Sequence, residues 1–312
     1  MTDSAFVGRL LLLDTASLYF RAFYGVPESM RAPDGTPVNA VRGLLDFIGR
    51  LVSDLSPERM VACMDADWRP AFRVEALPSY KAHRLADDDG TEDVPDALEV
   101  QVPIIVDVLA ALGIATVGVP GFEADDVIGT LATADPGPVD IVTGDRDLFQ
   151  LVDDSREVRI LYTARGVGKH DVIDEDAVLE RYGIPGRAYA DFATLRGDPS
   201  DGLPGVKGIG DKTAASLITR YSDLRGVVAA AADPTSDLST TMRRRITEAA
   251  DYLTVAPSVV LVRPDVPLPE FDPSIPVTPR DPDALNALDE RWGLAGSLRR
   301  AVEALRELAG RP

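Results

Sequence analysis

The sequence is poor in the residues that bind zinc and that cross-link secreted domains. Its 312 residues include one cysteine, Cys63, and two histidines, His83 and His170. One thiol cannot form an intrachain disulfide or a thiolate zinc cage, and two histidines are too few for a three-histidine zinc site. Cys63 lies within an apolar run at 60–64, which is typical of a small buried side chain. We therefore expect a chain of the reducing cytoplasm.

Long apolar runs are also lacking. No stretch reaches 18 apolar residues, and the N-terminus has no basic region followed by an apolar stretch and a small-residue cleavage site. We expect neither a membrane partner nor secretion. Hydrophobic residues make up 45% and charged residues 27%, which is ordinary for a globular protein. The length fits either one elaborated α/β domain or a catalytic domain with a smaller helical appendage.

Basic residues are outnumbered by acidic ones. The chain has 32 Lys and Arg against 51 Asp and Glu, giving a formal net charge of -19. A protein that coats nucleic acid needs clustered Lys and Arg to neutralise phosphates, so the overall balance argues against that class. Any nucleic-acid contact must use basic residues segregated on a small part of the surface.

The hydrophobic pattern alternates between strands and helices in the first part of the chain. Strands are predicted at 10–13, 61–64, 116–119 and 139–142, and helices at 15–24, 38–55, 100–112 and 127–131. This alternation predicts an α/β fold with a mostly parallel sheet flanked by helices. The pattern becomes helical after about residue 181, so we predict domains at 1–181 and 182–312. Residues 264–282 are predicted to be extended, and the last thirty to form one or two helices.

Carboxylates follow the predicted strands at their C-terminal ends, and they come from four separate segments. Parallel strands end at one edge of a sheet, where ligand crevices form. Neighbouring carboxylates repel one another, so such a cluster needs cations. The all-oxygen donors favour Mg²⁺ or Mn²⁺, and two such ions would support phosphodiester hydrolysis. The seven residues are Asp14, Asp65, Glu123, Asp125, Asp126, Asp145 and Asp147.

Each acid also has a simpler interpretation. A lone Asp after a strand is commonly a helix N-cap or a turn residue. An Asp-X-Asp pair after a strand, as at Asp145 and Asp147, also occurs in phosphatases that use one Asp as a nucleophile. The coincidence across four strands favours a shared metal site.

A glycine-rich segment at 203–218 predicts a tight turn between two helices. It is not a Walker A loop, because Asp211 separates Gly210 from Lys212 and no apolar strand precedes it. We predict a helix-hairpin-helix at about 198–221 whose amides contact consecutive phosphates without reading sequence. The alternative is a turn that merely packs. The predicted contacts are Lys207, Gly208, Gly210, Lys212 and Thr213, and two further acids, Asp198 and Asp201, precede them.

In combination, these motifs resemble the bacterial 5′–3′ exonuclease family, the flap-endonuclease-like nucleases that also occur as the N-terminal domain of DNA polymerase I. The resemblance runs from about residue 10 to 261 and implies a PIN-like nuclease domain. Its motifs are Asp14 with Tyr19 and Arg21, Met64-Asp-Ala66, Tyr80-Lys-Ala-His-Arg84, Phe122-Glu-Ala-Asp-Asp-Val-Ile-Gly129, Thr143-Gly-Asp-Arg-Asp-Leu148 and Gly197-Asp-Pro-Ser-Asp201.

The resemblance assigns roles to these residues. It implies one metal held mainly by Asp14, Asp65, Glu123 and Asp125, a second held mainly by Asp145, Asp147 and Asp201, and additional acids at Asp126 and Asp198. Arg21, Lys81 and Arg84 would engage the scissile phosphate and the 5′ strand, with Lys81 as an electrostatic stabiliser of the transition state. Arg69 and Arg73 are further basic candidates near the cleft.

The resemblance also implies an arch or clamp at about 76–99, beside or through which a 5′ single strand passes. Tyr80 would stack on an unpaired base, or be a surface tyrosine without such a role. The implied partners are DNA with a 5′ end or flap and, in some family members, an RNA primer strand. K⁺ at the hairpin and a monomeric state are further implications. Because the sequence ends at Pro312, we expect a stand-alone member.

The sequence departs from the family pattern at three places. The arch carries Asp87, Asp88, Asp89, Glu92 and Asp93, which would oppose a threading strand unless they face outward. Arg146 stands where lysine is common, and Gly202 where the family usually has Asn. Residues beyond 261 carry no motif that we can assign.

The predicted function is metal-dependent removal of 5′ ends or 5′ flaps from DNA in replication and repair. A related PIN-like ribonuclease is an alternative, which the hairpin disfavours because single-stranded RNA needs no duplex clamp. A DNA-binding scaffold without catalysis is a second alternative, which would be recognised by missing acids. None of the nine acids is missing.

Overall fold

A six-stranded sheet forms the centre of the first part of the chain. The computed structural model describes residues 8–86 and 92–309. The strands are β1 Leu10–Asp14, β2 Arg59–Cys63, β3 Ala115–Val117, β4 Val139–Thr143, β5 Val158–Tyr162 and β6 Asp171–Ile173. They lie in the order β3-β2-β1-β4-β5-β6, and every neighbouring pair is parallel except β5 and β6. The ends of β1, β2 and β4 therefore meet at one edge.

Helices cover both faces of this sheet and form the second part of the chain. They are α1 Thr15–Gly25, α2 Asn39–Leu55, α3 Ala71–Ala76, α4 Asp96–Glu99, α5 Val102–Leu112, α6 Ala124–Ala134, α7 Glu175–Tyr182, α8 Tyr189–Arg196, α9 Asp211–Tyr221, α10 Leu224–Ala232, α11 Thr240–Glu248, α12 Ala250–Val255, α13 Pro257–Val260, α14 Pro282–Trp292 and α15 Ala295–Ala309. None of the helices described combines the length and apolar character that a membrane span needs.

The strand β1 is buried on both faces, which explains its unbroken apolar run. Leu10 and Leu12 pack into a core with α6 and the helical region, whereas Leu11 and Leu13 pack into a second core with α1, α2 and α5. Because successive strand residues point to opposite faces, four leucines serve both cores. This double burial fixes the position of Asp14, which ends the strand.

The C-terminal helices return to the first part of the chain. Residues of α14 and α15 belong to the same core as α2 and α5. Helix α15 approaches α2 so closely that a Cβ on Gly49 would lie 3.3 Å from the Cα of Ala301. The domain limits at 1–181 and 182–312 stay a prediction, but α14 and α15 do not share the core of α8 to α11.

Candidate active site

The edge at which β1, β2 and β4 end opens into a pocket of about 810 Å³. Its lining contains five of the nine predicted metal ligands, namely Asp14, Asp65, Glu123, Asp125 and Asp145. It also contains the three predicted catalytic cations, Arg21, Lys81 and Arg84. The sequence prediction that separate strand ends bring carboxylates to one place therefore agrees with the geometry of the sheet.

Local hydrogen bonds hold the acids at this edge. Asp14 accepts from the Ser17 amide at 3.1 Å, as the N-cap of α1, and from the Thr143 hydroxyl at 2.6 Å. Thr143 Oγ1 in turn accepts from the Asp145 amide at 2.8 Å, so one hydroxyl joins the ends of β1 and β4. Asp65 accepts from the Ala124 amide at 2.7 Å, at the start of α6. Asp14 is thus both the N-cap of α1 and part of the pocket lining.

Four of these acids lack a cationic partner. Among the described residues, no Lys or Arg lies within ion-pair distance of Asp14, Asp65, Asp125 or Asp145. Burial, together with Asp65 and Asp145, raises the pKa of Asp14 to about 7 although Thr143 and Ser17 donate to it. Burial and the charges of Asp145 and Asp14 raise the pKa of Asp125 well above its usual range. These carboxylates are costly to ionise unless a cation joins them.

No three His, Cys, Asp or Glu side chains among residues 8–86 and 92–309 are arranged to hold a metal ion as they stand. The carboxylates share the pocket without converging on one point.

Two members of the predicted second ligand group, Asp147 and Asp201, and the additional acid Asp198 lie outside the pocket lining and have mixed partners. Burial and the charges of Asp145, Asp201 and Asp198 raise the pKa of Asp147 well above its usual range. Asp201 pairs with Arg84 at 3.0 Å. Asp198 is 7% exposed, accepts from the Ser200 amide at 2.9 Å and pairs with Arg196 at 3.1 Å. Asp198 is therefore occupied in its own loop, and Asp147 is the least neutralised of the three.

Asp126 does not lie in the pocket, in contrast to the prediction that it is an additional ligand. It is fully buried, and Arg73 donates to both of its oxygens at 2.7 Å. The amides of Glu123 and Arg263 donate to the same carboxylate at 3.2 and 3.0 Å. Its acceptor positions are thus filled by protein groups. The cause is helical geometry, since Asp125 and Asp126 are successive residues of α6 and point about 100° apart, so that Asp125 lines the pocket and Asp126 faces Arg73.

Arg73 and Tyr80 are buried, in contrast to the prediction that they contact DNA. Arg73 is 2% exposed and Tyr80 is 3% exposed. The Tyr80 hydroxyl donates towards both oxygens of Glu123 at 2.9 and 3.0 Å rather than presenting a ring for base stacking. Arg73 binds Glu123 at 3.1 Å as well as Asp126. Both side chains are buried because their partners, Glu123 and Asp126 at the start of α6, are buried and lie far along the chain.

Lys81 lies between the buried residues and the pocket. Its Nζ donates to Oε1 of Glu123 at 2.8 Å, and its backbone has a left-handed φ of 47°. Although burial disfavours the ammonium, Glu123 and its neighbours raise the pKa of Lys81 well above its usual range. Burial raises the pKa of Glu123 to about 7 in spite of Lys81 and Arg73. Lys81 is therefore a charged, partnered side chain at the wall of the pocket.

The loop at 197–202 packs against the base of the predicted arch. The Lys81 amide donates to the Asp201 carbonyl at 3.0 Å, and the Ser79 hydroxyl donates to the Gly202 carbonyl at 2.8 Å. Gly202 has a φ of 72°, and a Cβ there would lie 2.1 Å from the Ser79 carbonyl oxygen. This close approach explains why glycine stands at this departure from the family pattern.

The described part of the arch brings an acid towards the pocket. Glu92 is in the pocket lining, whereas Asp93 is exposed. Asp87, Asp88 and Asp89 lie outside the described residues. Glu92 therefore does not meet the condition under which the arch acids would leave the path of a threading strand clear.

The glycine hairpin is exposed, as a phosphate contact requires. Lys207, Gly208, Gly210 and Lys212 are exposed and Thr213 is half-buried. Helix α9 begins after Gly210, which has no side chain to cap the first amides of the helix. Arg245 on α11 donates to the Gly208 carbonyl at 3.1 Å, which the sequence analysis missed.

Other pocket residues were also missed. Arg165 and the aromatic residues Phe20, Tyr24 and Phe47 form part of the wall. The buried Nε of Arg21 has no hydrogen-bond partner among the described residues, so this predicted cation is not fully satisfied by the protein. Thr143, which donates to Asp14 from outside the pocket lining, did have a sequence signal because it begins the Thr-Gly-Asp motif.

An acid-lined edge of a parallel sheet beside a helical hairpin region defines a class of nucleases, and comparison with known proteins agrees. The family model described as the 5′–3′ exonuclease N-terminal resolvase-like domain matches residues 9–183. The model for the 5′–3′ exonuclease C-terminal SAM fold matches residues 184–283. The chain belongs to the 5′–3′ exonuclease family, which confirms the predicted family.

Curated relatives carry the same description. A 5′–3′ exonuclease of Streptomyces coelicolor is 62% identical over 299 residues, covering 95% of this chain and 99% of the relative. A 5′–3′ exonuclease of Mycobacterium tuberculosis is 47% identical over 314 residues, which cover 96% of this chain and 99% of that relative. DNA polymerase I of Mycobacterium bovis is 45% identical over 70% of this chain but only 24% of the polymerase.

Solved structures share the fold at low sequence identity. The T5 D15 protein co-crystallised with metal ions has a TM-score of 0.64 at 17% identity, covering 96% of this chain and 99% of that one. The catalytic core of Rad2 in complex with DNA substrate has a TM-score of 0.55 at 17% identity, covering 98% and 93%. The predicted fold class, a mostly parallel sheet with a helical C-terminal region, is confirmed.

Proposed function

We propose that this nuclease hydrolyses DNA phosphodiesters at 5′ ends and 5′ flaps and depends on divalent metal ions. One observation carries the proposal, namely four carboxylates without cationic partners in a pocket that also contains Arg21, Lys81 and Arg84. Acids that lack counterions attract metal ions, and the adjacent cations suit the phosphate of a substrate. The names of the relatives agree with this reaction class.

The chemistry of the donors fits Mg²⁺ or Mn²⁺. All of the unpaired groups are carboxylate oxygens, which hard divalent cations prefer, and burial with mutual repulsion raises the pKa of Asp14 and Asp125. Asp14, Asp65, Asp125 and Asp145 would hold one ion, with Glu123 joining when Lys81 leaves it. Asp145, Asp147 and Asp201 would hold a second. A bound pair of ions supplies water activation and charge neutralisation.

We do not include Asp126 among the ligands, because protein donors already fill its acceptor positions. Asp198 supports the loop that carries Asp201, since it accepts from Ser200 and Arg196. The ligand set is therefore smaller than the nine acids predicted from the sequence.

The cations of the pocket would orient the substrate. Arg21 and Arg84 would hold phosphate oxygens of the 5′ strand, and Lys81 would stabilise the negative charge that develops during cleavage. Arg84 pairs with Asp201 and Lys81 with Glu123, so both must exchange a carboxylate for a phosphate. Arg21 has no such partner among the described residues and is the cation most ready to bind.

The hairpin would hold the duplex next to the cleavage site. Its exposed amides and lysines suit consecutive phosphates of one strand. A K⁺ ion there remains a prediction, and Arg245 already donates to the Gly208 carbonyl. An RNA primer as substrate strand, a monomeric state and a cytoplasmic location are further parts of the proposal.

Cleavage assays on defined substrates test this function. The protein with Mn²⁺ should cut 5′-flapped, nicked and gapped DNA duplexes, and Asp125→Asn should lose this activity while still binding the flap in Ca²⁺. Tight binding without any cleavage would favour the scaffold. Preferential cleavage of single-stranded RNA would favour the ribonuclease.

A further inference from the structure

A buried arginine links the proposed metal site to the interior of the molecule. Arg73 is the largest fully buried side chain, at 2% exposure, and lies on α3 at the base of the predicted arch. Its guanidinium donates to Asp126 through both Nη atoms at 2.7 Å, to Oε2 of Glu123 at 3.1 Å, and to the Val259 carbonyl at 2.9 Å. Three segments from distant parts of the chain therefore meet at one side chain.

Glu123 is shared by two cations that differ in their freedom to move. Arg73 holds Oε2 from the interior, while Lys81 holds Oε1 from the pocket at 2.8 Å. Arg73 is fixed by the pair with Asp126 and by Val259. Lys81 ends in a flexible chain, is 13% exposed in its side chain and lies in the pocket lining. Only Lys81 is able to leave Glu123 without disrupting the core.

We propose that Arg73 is a positioning residue that holds Glu123 as a fixed carboxylate and thereby releases Lys81 for the substrate. When Lys81 moves to a phosphate, Arg73 and the Tyr80 hydroxyl still orient Glu123, so its Oε1 faces the pocket as a ready ligand. This inference rests on the proposed function. It also replaces the predicted role of Arg73 as a DNA contact, because a guanidinium with three buried partners is unavailable to a phosphate.

The pair of Arg73 and Asp126 must be changed together in the test, because removing one partner leaves an uncompensated buried charge. The double variant Arg73→Gln with Asp126→Asn removes the charges and keeps polar side chains of similar size. A matched control is Arg59→Gln with Asp135→Asn, which removes a bidentate pair whose Nη2–Oδ1 contact is 2.8 Å. This control pair joins β2 to the end of α6 and is absent from the pocket lining.

Two binding measurements separate positioning from a general structural role. The Mn²⁺ dissociation constant, measured by titration without DNA, should rise about tenfold or more in the Arg73/Asp126 double variant and stay unchanged in the Arg59/Asp135 control. The dissociation constant for flapped DNA in Ca²⁺ should change less than about threefold in both, because Arg73 does not contact the substrate. In the cleavage assay, the kcat of the Arg73/Asp126 double variant should fall while its KM is retained. The single variant Arg73→Lys should bind Mn²⁺ more tightly than the double variant.

Several outcomes would overturn the inference. Equal Mn²⁺ affinities in the double variant and the control would make Arg73 merely structural. A large loss of flap binding with normal Mn²⁺ affinity would make it a DNA contact. An unaltered protein that bound Mn²⁺ but cut no DNA would refute the proposed function and the release of Lys81 to a substrate, and the Mn²⁺ affinities would still decide whether Arg73 positions Glu123. An unaltered protein that bound no Mn²⁺ would refute both.

Discussion

Two adjacent carboxylates on α6, those of Asp125 and Asp126, have opposite electrostatic surroundings. Asp125 faces the pocket with no cationic partner among the described residues, and burial together with the neighbouring charges raises its pKa. Asp126 faces the interior and is neutralised by a bidentate arginine. Adjacent positions on a helix point about 100° apart, so one motif supplies both a candidate ligand and a structural residue.

The difference separates an acid whose charge is compensated by an arginine from acids whose charges have no cationic partner among the described residues. In a buried carboxylate–arginine pair each charge compensates the other, so loss of one partner is costly. Carboxylates that face one another without a cation raise that free energy. The second group is therefore retained at a cost to stability, as is common where charged groups serve a reaction.

Neutralising one acid from each group gives the largest expected contrast. Asp125→Asn should lower cleavage at least about 100-fold and leave or slightly raise the melting temperature, because it removes repulsion and a ligand. Asp126→Asn should lower the melting temperature markedly, because Arg73 loses a buried charged partner, which costs about 3–5 kcal/mol when the pair is broken. Cleavage rates and calorimetry of both variants check this. A melting temperature that falls in Asp125→Asn but not in Asp126→Asn would reverse the assignment.

The metal-free protein should become less stable as pH rises from 6 to 8. The pKa of Asp14 and of Glu123 is raised to about 7 in the folded state, above its usual value. A raised folded pKa gives stability that is full below the unfolded pKa and is lost as pH rises through the folded pKa. Over this window each group should cost about 1 kcal/mol.

Divalent ions should reverse this loss, because they bind the deprotonated carboxylates. Melting curves in EDTA and in Mn²⁺ at pH 6 and 8 measure the effect, and Mn²⁺ should raise the melting temperature more at pH 8. Asp14→Asn should flatten the pH dependence in EDTA. Equal stabilisation by Mn²⁺ at both pH values would show that the pocket carboxylates do not titrate as described.

The strand-end acids could be predicted from the sequence, but their separation into two groups could not. Asp14, Asp65 and Asp145 follow apolar strands, and parallel strands necessarily bring those ends together. Burial of Tyr80 depends on contacts with Glu123, which is 43 positions away. The segment around Tyr80 has no apolar period that would indicate burial.

The phase of α6 was the one signal that could have distinguished Asp125 from Asp126. Glu123 and Asp126 are three positions apart and form a capping box, whereas Asp125 points elsewhere. The strands β5 and β6 were not predicted. β6 has only three residues and pairs antiparallel with β5 at the edge of the sheet.

Basic side chains also divide into those that are paired with a carboxylate and those that are not. A substitution in the hairpin tests this difference, and its expected effect is the smallest. Lys81 is paired with an acid, but Lys212 is exposed and has no ion-pair partner among residues 8–86 and 92–309. Lys212→Ala should weaken flap binding several-fold and reduce the slope of log affinity against log salt by about 1, because one phosphate contact is lost. The Mn²⁺ affinity should not change, since the hairpin lies outside the pocket lining. Lys169→Ala is the matched control, because this exposed lysine precedes β6 and is in neither the hairpin nor the pocket. Flap binding by both variants should be measured in parallel over a range of KCl concentrations. Equal slopes of log affinity against log salt in the two variants would contradict the hairpin role.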